Sequence, residues 1–159
     1  ARLAYATGGA EDRADLYDSA GDDRLTSRPE WTRFAGFSFD NIAVAFEHVF
    51  AYATNGGDDR ADLYDSAGDD RLTSRPEWTR LAGLSFDNIA VEFEHVFAYA
   101  TGGGDDRADL YDSAGDDRLT SRPEWTRLAG LRFGHLHVSV EHVVAHRVHS
   151  TRPRRPPAS

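Results

Sequence analysis

Four residue types are missing from this chain of 159 residues: cysteine, methionine, lysine and glutamine. Without cysteine there can be no disulfide framework, no thiolate metal ligand and no cysteine nucleophile. No apolar run approaches the roughly 20 residues that a membrane-spanning helix needs, and no signal peptide is recognisable. The missing initiator methionine suggests a piece of something longer. We therefore expect a chain that does not insert into a membrane and that folds without disulfides.

Positive charge is scarce and unevenly placed. The chain has 18 arginines against 27 acidic residues, and its formal net charge is −9. Four of the arginines lie in 147–159, which holds no acid, so residues 1–146 carry 14 arginines against 27 acids. An acidic body argues against nucleic acid as a partner and favours either metal cations or a simply solvated surface. The Arg- and Pro-rich segment 147–159 is predicted to be a flexible tail.

What the sequence does have is a tandem repeat of 47 residues, with copies at 5–51, 52–98 and 99–145. The first two copies match at 41 of 47 positions, and the second and third at 38 of 47. Near-identical tandem units usually stack, so that each buries its apolar face on its neighbours. We predict a single repeat domain over 1–146. Its fold class is all-β, a β-solenoid of the parallel β-helix or β-roll type.

Alternating apolar residues predict about five short strands in each unit. In the middle copy, the alternation predicts an inward face formed by Ala61, Leu63, Leu72, Ile89, Val91, Phe93, Val96 and Ala98. Of these we expect Leu63, Leu72, Val91, Phe93 and Ala98 to be buried. The segment 74–83 stays open between a strand and a short helix, because Ser74 and Glu77 also have the spacing of a capping box. Whether 47 residues form one coil or two also stays open.

One phrase in each unit suggests chemistry. In 63–72, with the sequence LYDSAGDDRL, Gly68, Asp70 and Leu72 fall on the fourth, sixth and eighth positions of the nonapeptide G-G-x-G-x-D-x-U-x. The phrase resembles RTX-type (haemolysin-type) calcium-binding repeats, and the segment 57–61 is a weaker second match. The whole unit also resembles the long tandem repeats of large exported bacterial proteins. These resemblances imply Ca²⁺ held between stacked turns and an extracellular or cell-surface location.

Stacked copies would place equivalent aspartates in columns about 4.8 Å apart, where like charges repel and an oxygen-binding cation such as Ca²⁺ would be favoured. The candidate calcium ligands are Asp12, Asp59 and Asp106 in one column and Asp23, Asp70 and Asp117 in the other. Two alternatives stay open. The aspartates could serve only as turn residues. Otherwise, neighbouring arginines could neutralise the columns: Arg13, Arg60 and Arg107, with Arg24, Arg71 and Arg118.

Histidines form a second set of candidates. One recurs in each unit at His48, His95 and His142, and we predict that these three form a surface column. The third unit adds His135, His137, His146 and His149. A strand places His135 and His137 on one face, where two imidazoles could serve a transition metal. The alternative is that these histidines are incidental to a diverged copy.

Aromatic residues recur in the same way, as Trp31, Trp78 and Trp125 and as Tyr17, Tyr64 and Tyr111. Stacked aromatic rings commonly fix the register of a sheet. The alternative function is a carbohydrate-binding module that presents these rings to a surface glycan. We expect no enzymatic activity, because no nucleophile context such as G-x-S-x-G occurs.

The sequence as a whole predicts a structural, extracellular repeat protein for surface attachment or filament-like assembly, rigidified by calcium. Terminal coils of a solenoid expose strand edges that must be capped or partnered. The acidic body and the basic C-terminal end are also complementary in charge. We therefore expect head-to-tail self-association.

Overall fold

The computed structural model describes residues 1–9, 11–130 and 135–147, and within these ranges every regular element is a β-strand. No helix suited to crossing a membrane occurs in the described residues. The predicted tail lies outside them except for Arg147. The sixteen strands are β1 Arg2–Tyr5, β2 Arg13–Tyr17, β3 Arg24–Ser27, β4 Trp31–Ala35, β5 Asp40–Val44, β6 His48–Tyr52, β7 Arg60–Tyr64, β8 Arg71–Arg75, β9 Trp78–Ala82, β10 Asp87–Val91, β11 His95–Tyr99, β12 Arg107–Tyr111, β13 Arg118–Arg122, β14 Trp125–Ala129, β15 His135–Ser139 and β16 His142–His146.

The segment 74–83 is extended. It contains a tight hairpin in which β8 ends at Arg75, β9 begins at Trp78, and these two residues pair across the turn. Pro76 has no N–H to donate to a ladder, which explains why β8 ends before it. Of the two possibilities that the sequence left open, the strand is therefore the one that forms.

The strands form two sheets in a β-solenoid. One sheet has nine strands in the order β1-β5-β4-β3-β7-β11-β15-β14-β13, and the other has seven in the order β16-β12-β8-β9-β10-β6-β2. Three consecutive strands of each repeat, such as β8, β9 and β10, form an antiparallel meander. The first and last strands of the repeat enter the opposite sheet. Strands from neighbouring repeats pair in parallel.

The chain crosses between the sheets twice within a repeat and once more on entering the next repeat, so successive repeats exchange sheets. The meander of the second repeat lies in the seven-stranded sheet, whereas those of the first and third lie in the nine-stranded sheet. The parallel ladder joins Arg24 to Arg60 and Arg60 to His95, which are steps of 36 and 35 residues. The prediction that equivalent residues of successive copies stack directly on one another is therefore wrong.

The core lies between the two sheets and consists of small and medium-sized side chains. Leu63, Leu72 and Ala98 are buried, as the alternation predicted, and Ala61 and Val96 face the core with them. Alanines at β7, β11 and β12 allow the two sheets to approach closely, while leucines and Phe34 fill the remaining space.

The prediction of the inward face of β10 is wrong. Asn88 and Ala90 are the buried residues of this strand, and Ile89 and Val91 are half-buried on the outer face. Ile89 there pairs with Phe50 of β6. Beyond the strand, Glu92 has a φ of 59°. This left-handed residue reverses the alternation, and Phe93 packs against the core although it is only partly buried.

Candidate cation site

Each repeat carries a turn in which the carboxylate of an aspartate accepts hydrogen bonds from a serine four residues earlier. In the second repeat, Asp70 Oδ2 accepts hydrogen bonds from the Ser66 N–H at 2.6 Å and from Ser66 Oγ at 2.9 Å. The same pair occurs as Ser19 with Asp23 and as Ser113 with Asp117. A Cβ on Gly83 would overlap the Asp70 carboxylate, so the glycine at this position makes room for the aspartate.

The aspartates meet across repeats, but not in the predicted columns. Asp106 Oδ1 accepts the N–H of Asp70 at 2.8 Å, and Asp59 Oδ1 accepts the N–H of Asp23 at 2.7 Å. Each contact joins the second turn of one repeat to the first turn of the next. The reason is the exchange of sheets, which places β12 beside β8 and β7 beside β3.

Asp65 completes a group of three carboxylates with Asp70 and Asp106, here called the Asp106 cluster. One oxygen from each lies within 4.8 Å of the others, and all three residues are buried. Asp65 Oδ2 also accepts the N–H of Gly102 at 2.8 Å. The three aspartates line a cavity whose other walls include Leu72, Leu81 and Val140.

One fully buried oxygen of the cluster has no hydrogen-bond partner among the described residues. It is Asp106 Oδ2, in a residue that is only 1% exposed. A buried carboxylate oxygen without a partner costs free energy. Burial raises the pKa of Asp106 to about 6, and the neighbouring charges of Asp65 and Asp70 add to the rise. A group of three hard oxygen donors suits a cation such as Ca²⁺.

A related group, the Asp59 cluster, contains Asp18, Asp23 and Asp59. Asp59 Oδ2 is also buried without a partner, and desolvation raises the pKa of Asp59 to about 6. Here, however, Asn55 holds both oxygens of Asp18, since its backbone N–H donates to Oδ2 and its side-chain amide donates to Oδ1, each at 2.7 Å. The corresponding residue of the third repeat is Gly102, which has no side chain. Among the described residues only the Asp106 cluster closes, and the side chain at this position is one point at which the two clusters differ.

The six predicted ligands thus separate into two pairs and two single residues. Asp70 and Asp106 lie together, and so do Asp23 and Asp59. Asp12 and Asp117 lie at opposite ends of the stack, in the turns before β2 and β13. The prediction omitted Asp18 and Asp65, although both recur in the phrase LYDSAGDD. That phrase was the available signal, but the sheet exchange that brings Asp65 to Asp106 is not visible in it.

The raised pKa of Asp106 predicts how stability depends on pH in a chelator. Between about pH 4 and about pH 6 the folded state keeps a proton that the unfolded state has lost, so stability falls as pH rises through this window. Asp106→Asn is neutral and removes this dependence. We expect urea melts of the variant and the parent to converge near pH 4. Near pH 7 the variant should be more stable by on the order of 2 kcal/mol.

Asp40→Asn is the control for this experiment. The hydrogen bond from Arg33 holds the pKa of Asp40 below its usual value, so this pair stabilises the fold above the ordinary pKa of an aspartate. Its contribution is lost as pH falls through the lowered pKa. The two variants should therefore depart from the parent in opposite directions near pH 7. A parallel shift of both would contradict the assignment for Asp106.

The arginines pair with strand aspartates instead of the turn aspartates. Arg60 and Arg24 contact Asp62 at 2.6 and 2.8 Å, and Arg107 and Arg71 contact Asp109 at 2.9 and 2.8 Å. The hydrogen bond from Arg107 lowers the pKa of Asp109 strongly. Arg13 likewise pairs with Asp15. Arginine ladders therefore exist, but they run along the outer faces of the sheets. The proposal that they neutralise the turn aspartates is wrong for these arginines.

The histidines do not form one column. His48 and His142 lie in the seven-stranded sheet and His95 in the nine-stranded sheet, and His95 and His142 contact Asp58 and Asp105 at 2.7 and 2.8 Å. His137 stacks on the ring of Phe97. The suggestion of a metal-binding pair at 135 and 137 stays a prediction, because the side chain of His135 lies outside the described residues, as does His149.

The aromatic rings stack, but in other combinations than predicted. Tyr17 stacks on Tyr52 with 5.0 Å between centroids, and Tyr64 stacks on Tyr99 at 4.8 Å. The third tyrosine of the predicted column, Tyr111, stacks on His146. Trp31, Trp78 and Trp125 occupy alternate sheets, and each lies under a neighbouring arginine. The stacked tyrosine and histidine rings join parallel strands, whereas the arginine–tryptophan contacts lie across the hairpins. Glycan binding by the rings stays a prediction.

Comparisons with protein-family models, with curated proteins and with solved structures give no match to this chain. The resemblance to calcium-binding repeats is therefore carried by the short phrase alone. What the structure adds is the tandem-repeat β-solenoid and the arrangement of buried carboxylates within it.

Proposed function

We propose that this chain is a structural segment of an extracellular or cell-surface protein, a rod for surface attachment or filament-like assembly that calcium rigidifies. The observation that carries the proposal is the buried, unpartnered oxygen of Asp106 facing two further carboxylates. The remainder of the fold is consistent with a rod, since both sheets run continuously through all three repeats.

Calcium would act at the junction between two repeats. Asp65 and Asp70 belong to the second repeat and Asp106 to the third, so an ion held by all three would link their turns. Ca²⁺ accepts six to eight oxygen ligands in flexible geometry, which fits carboxylates supplemented by backbone carbonyls and water. An ion there would offset the repulsion among the three acids and the cost of burying them. We therefore expect calcium to stabilise the contact between neighbouring repeats, and not an individual strand.

A thermal melt with calcium and with chelator tests this proposal in dilute solution. We expect saturating calcium to raise the melting temperature by about 5–10 °C, because it binds the folded state in preference to the unfolded chain. Asp106→Asn should abolish that rise. Asp69→Asn is the matched control, because Asp69 is exposed in the same turn and uses one oxygen to accept the N–H of Asp105. A melting temperature that calcium leaves unchanged in the parent would refute calcium rigidification.

Asn55→Gly provides a gain-of-function variant. Removing the amide that holds both oxygens of Asp18 should allow the Asp59 cluster to close as the Asp106 cluster does. Calorimetric titration should then find one additional calcium site per chain relative to the parent. An unchanged stoichiometry would show that the residue at position 55 does not control the site.

A further inference from the structure

We propose that a second copy of the chain docks end to end, with β13 of one copy pairing in parallel with β2 of the next. This inference rests on the proposed function, since it specifies the surface through which a rod would extend. In the described residues, β13 pairs with β14 only and β2 with β6 only, so each is an edge strand. The two edges lie at opposite ends of the stack.

The chain already makes this strand contact twice. The strand that begins Arg-Leu-Thr-Ser pairs in parallel with the strand Arg-Ala-Asp-Leu-Tyr of the next repeat, once as β3 with β7 and once as β8 with β12. Both contacts place an arginine opposite an arginine, Arg24 opposite Arg60 and Arg71 opposite Arg107. β13 and β2 carry the same two sequences. Docking in this register would place Arg118 opposite Arg13 of the second copy.

Burial at the two ends shows what docking would cover. Leu25 and Leu72 are 2% and 1% exposed in the two internal contacts, whereas their counterpart Leu119 is 45% exposed. The alanines opposite those two leucines, Ala61 and Ala108, are fully buried. Their counterpart Ala14 is half-buried. A docked copy would therefore bury Leu119 against Ala14, as the two internal contacts do.

Docking also completes a third acidic cluster. The internal clusters combine two aspartates of one repeat with one of the next, as Asp65 and Asp70 do with Asp106. At the C-terminal end the equivalent pair is Asp112 and Asp117, and the aspartate that would complete it is Asp12 of the second copy. The residue that corresponds to Asn55 is Gly8, so this cluster resembles the one that closes. Three carboxylates brought together this way repel one another, and docking should therefore require a divalent cation.

One strand must move to allow this contact. β6 pairs with β2 on one side and β10 on the other, and its counterparts at the two ends are β16 and β1. In a continuous stack both would occupy the same place, next to β5 of the second copy. All four residues of β1 are exposed, with Leu3 at 53% and Tyr5 at 62%, so we expect β1 to detach from β5. β16 of the first copy then pairs with β5 of the second copy in place of β1.

Sedimentation analysis over a concentration series, with calcium and with chelator, tests the proposal. We expect the mean mass to rise with concentration in calcium. Two variants each block one end: Leu119→Glu places a charge on the edge of β13, and Ala14→Arg does so on β2. Each variant alone should remain monomeric, and an equimolar mixture of the two should form a dimer and nothing larger. Melts of both variants check that they fold, and Leu84→Glu, at a side chain that is 104% exposed, is the matched control.

The outcomes separate this inference from the proposed function. Asp117→Asn should remove the calcium dependence of association while leaving the calcium-induced rise in melting temperature of the dilute protein intact. Asp70→Asn should do the reverse. A parent that stays monomeric at every concentration in calcium, or a mixture of the two blocked variants that stays monomeric, would overturn the docking. Association that persists unchanged in chelator would overturn the completed cation site.

Discussion

Replacing Phe34 by alanine should lower the free energy of unfolding by about 3–5 kcal/mol, because the ring is fully buried and its removal leaves a cavity. Phe34 meets the rings of Phe39 and Phe93 with 5.5 Å between centroids in each case. It thereby links the meander of the first repeat to the second repeat. Little in the surrounding β-structure can move to fill the space that the ring leaves.

Phe37→Ala is the control for that substitution. Phe37 lies three residues away in the same repeat and its side chain is completely exposed. Its replacement should change the free energy of unfolding by no more than about 0.5 kcal/mol. Urea-induced unfolding followed by circular dichroism measures both variants. Equal effects would show that the ring of Phe34 does not fill the space between the sheets.

Gly57→Ala should destabilise the fold by about 2–5 kcal/mol. Its φ of 127° is one that residues with a side chain rarely adopt, which contributes about 1–2 kcal/mol. An added Cβ would also collide with the carbonyl oxygen of Gly21 in the neighbouring turn, and such overpacking costs about 1–3 kcal/mol. The same geometry recurs one repeat later, where a Cβ on Gly104 would collide with the carbonyl oxygen of Gly68.

The adjacent glycines isolate the contribution of the contact between turns. Gly56 and Gly103 also have positive φ, at 87° and 104°, but a Cβ on either would meet no atom closer than 3.9 Å. Gly56→Ala and Gly103→Ala should therefore cost only the backbone strain. Thermal melts of the four variants compare the two pairs. If all four lose the same stability, the close approach of neighbouring turns contributes nothing and the stacking of turns is misassigned.

The strands themselves follow from local sequence. The alternation in 60–64 places Ala61 and Leu63 on one side of the chain, and both are buried, because successive side chains of a strand point to opposite faces. The same reasoning failed at β10. Ile89 and Val91 are the more apolar residues, yet Asn88 and Ala90 face the core, since narrow side chains are needed where the sheets approach closely. Hydrophobicity alone does not distinguish a core face from an outer face that packs under aromatic rings.

The sequence predicted the kind of residue in the candidate cation site, but not which aspartates form it. Aspartate-rich turns with a glycine indicated oxygen ligands for a cation, and Asp70 and Asp106 were among the candidates. Their partner Asp65 was not, and Asp12 and Asp117 belong to neither the Asp106 cluster nor the Asp59 cluster. The phrase LYDSAGDD specifies its own turn through the bonds between Ser66 and Asp70. It carries no information about which other turn packs beside it, because that contact joins residues 36 positions apart.

The sequence by itself determined the repeat, the all-β class and the short strands, because these depend on period-two alternation, glycine-rich turns and near-identity between copies. The tertiary structure decided which strands are neighbours. The chain crosses between the two sheets three times per repeat, counting the step into the next one, so each repeat enters the sheet opposite to the one that its predecessor entered. Equivalent aspartates are thereby separated, and aspartates from different turns are brought together around Asp106.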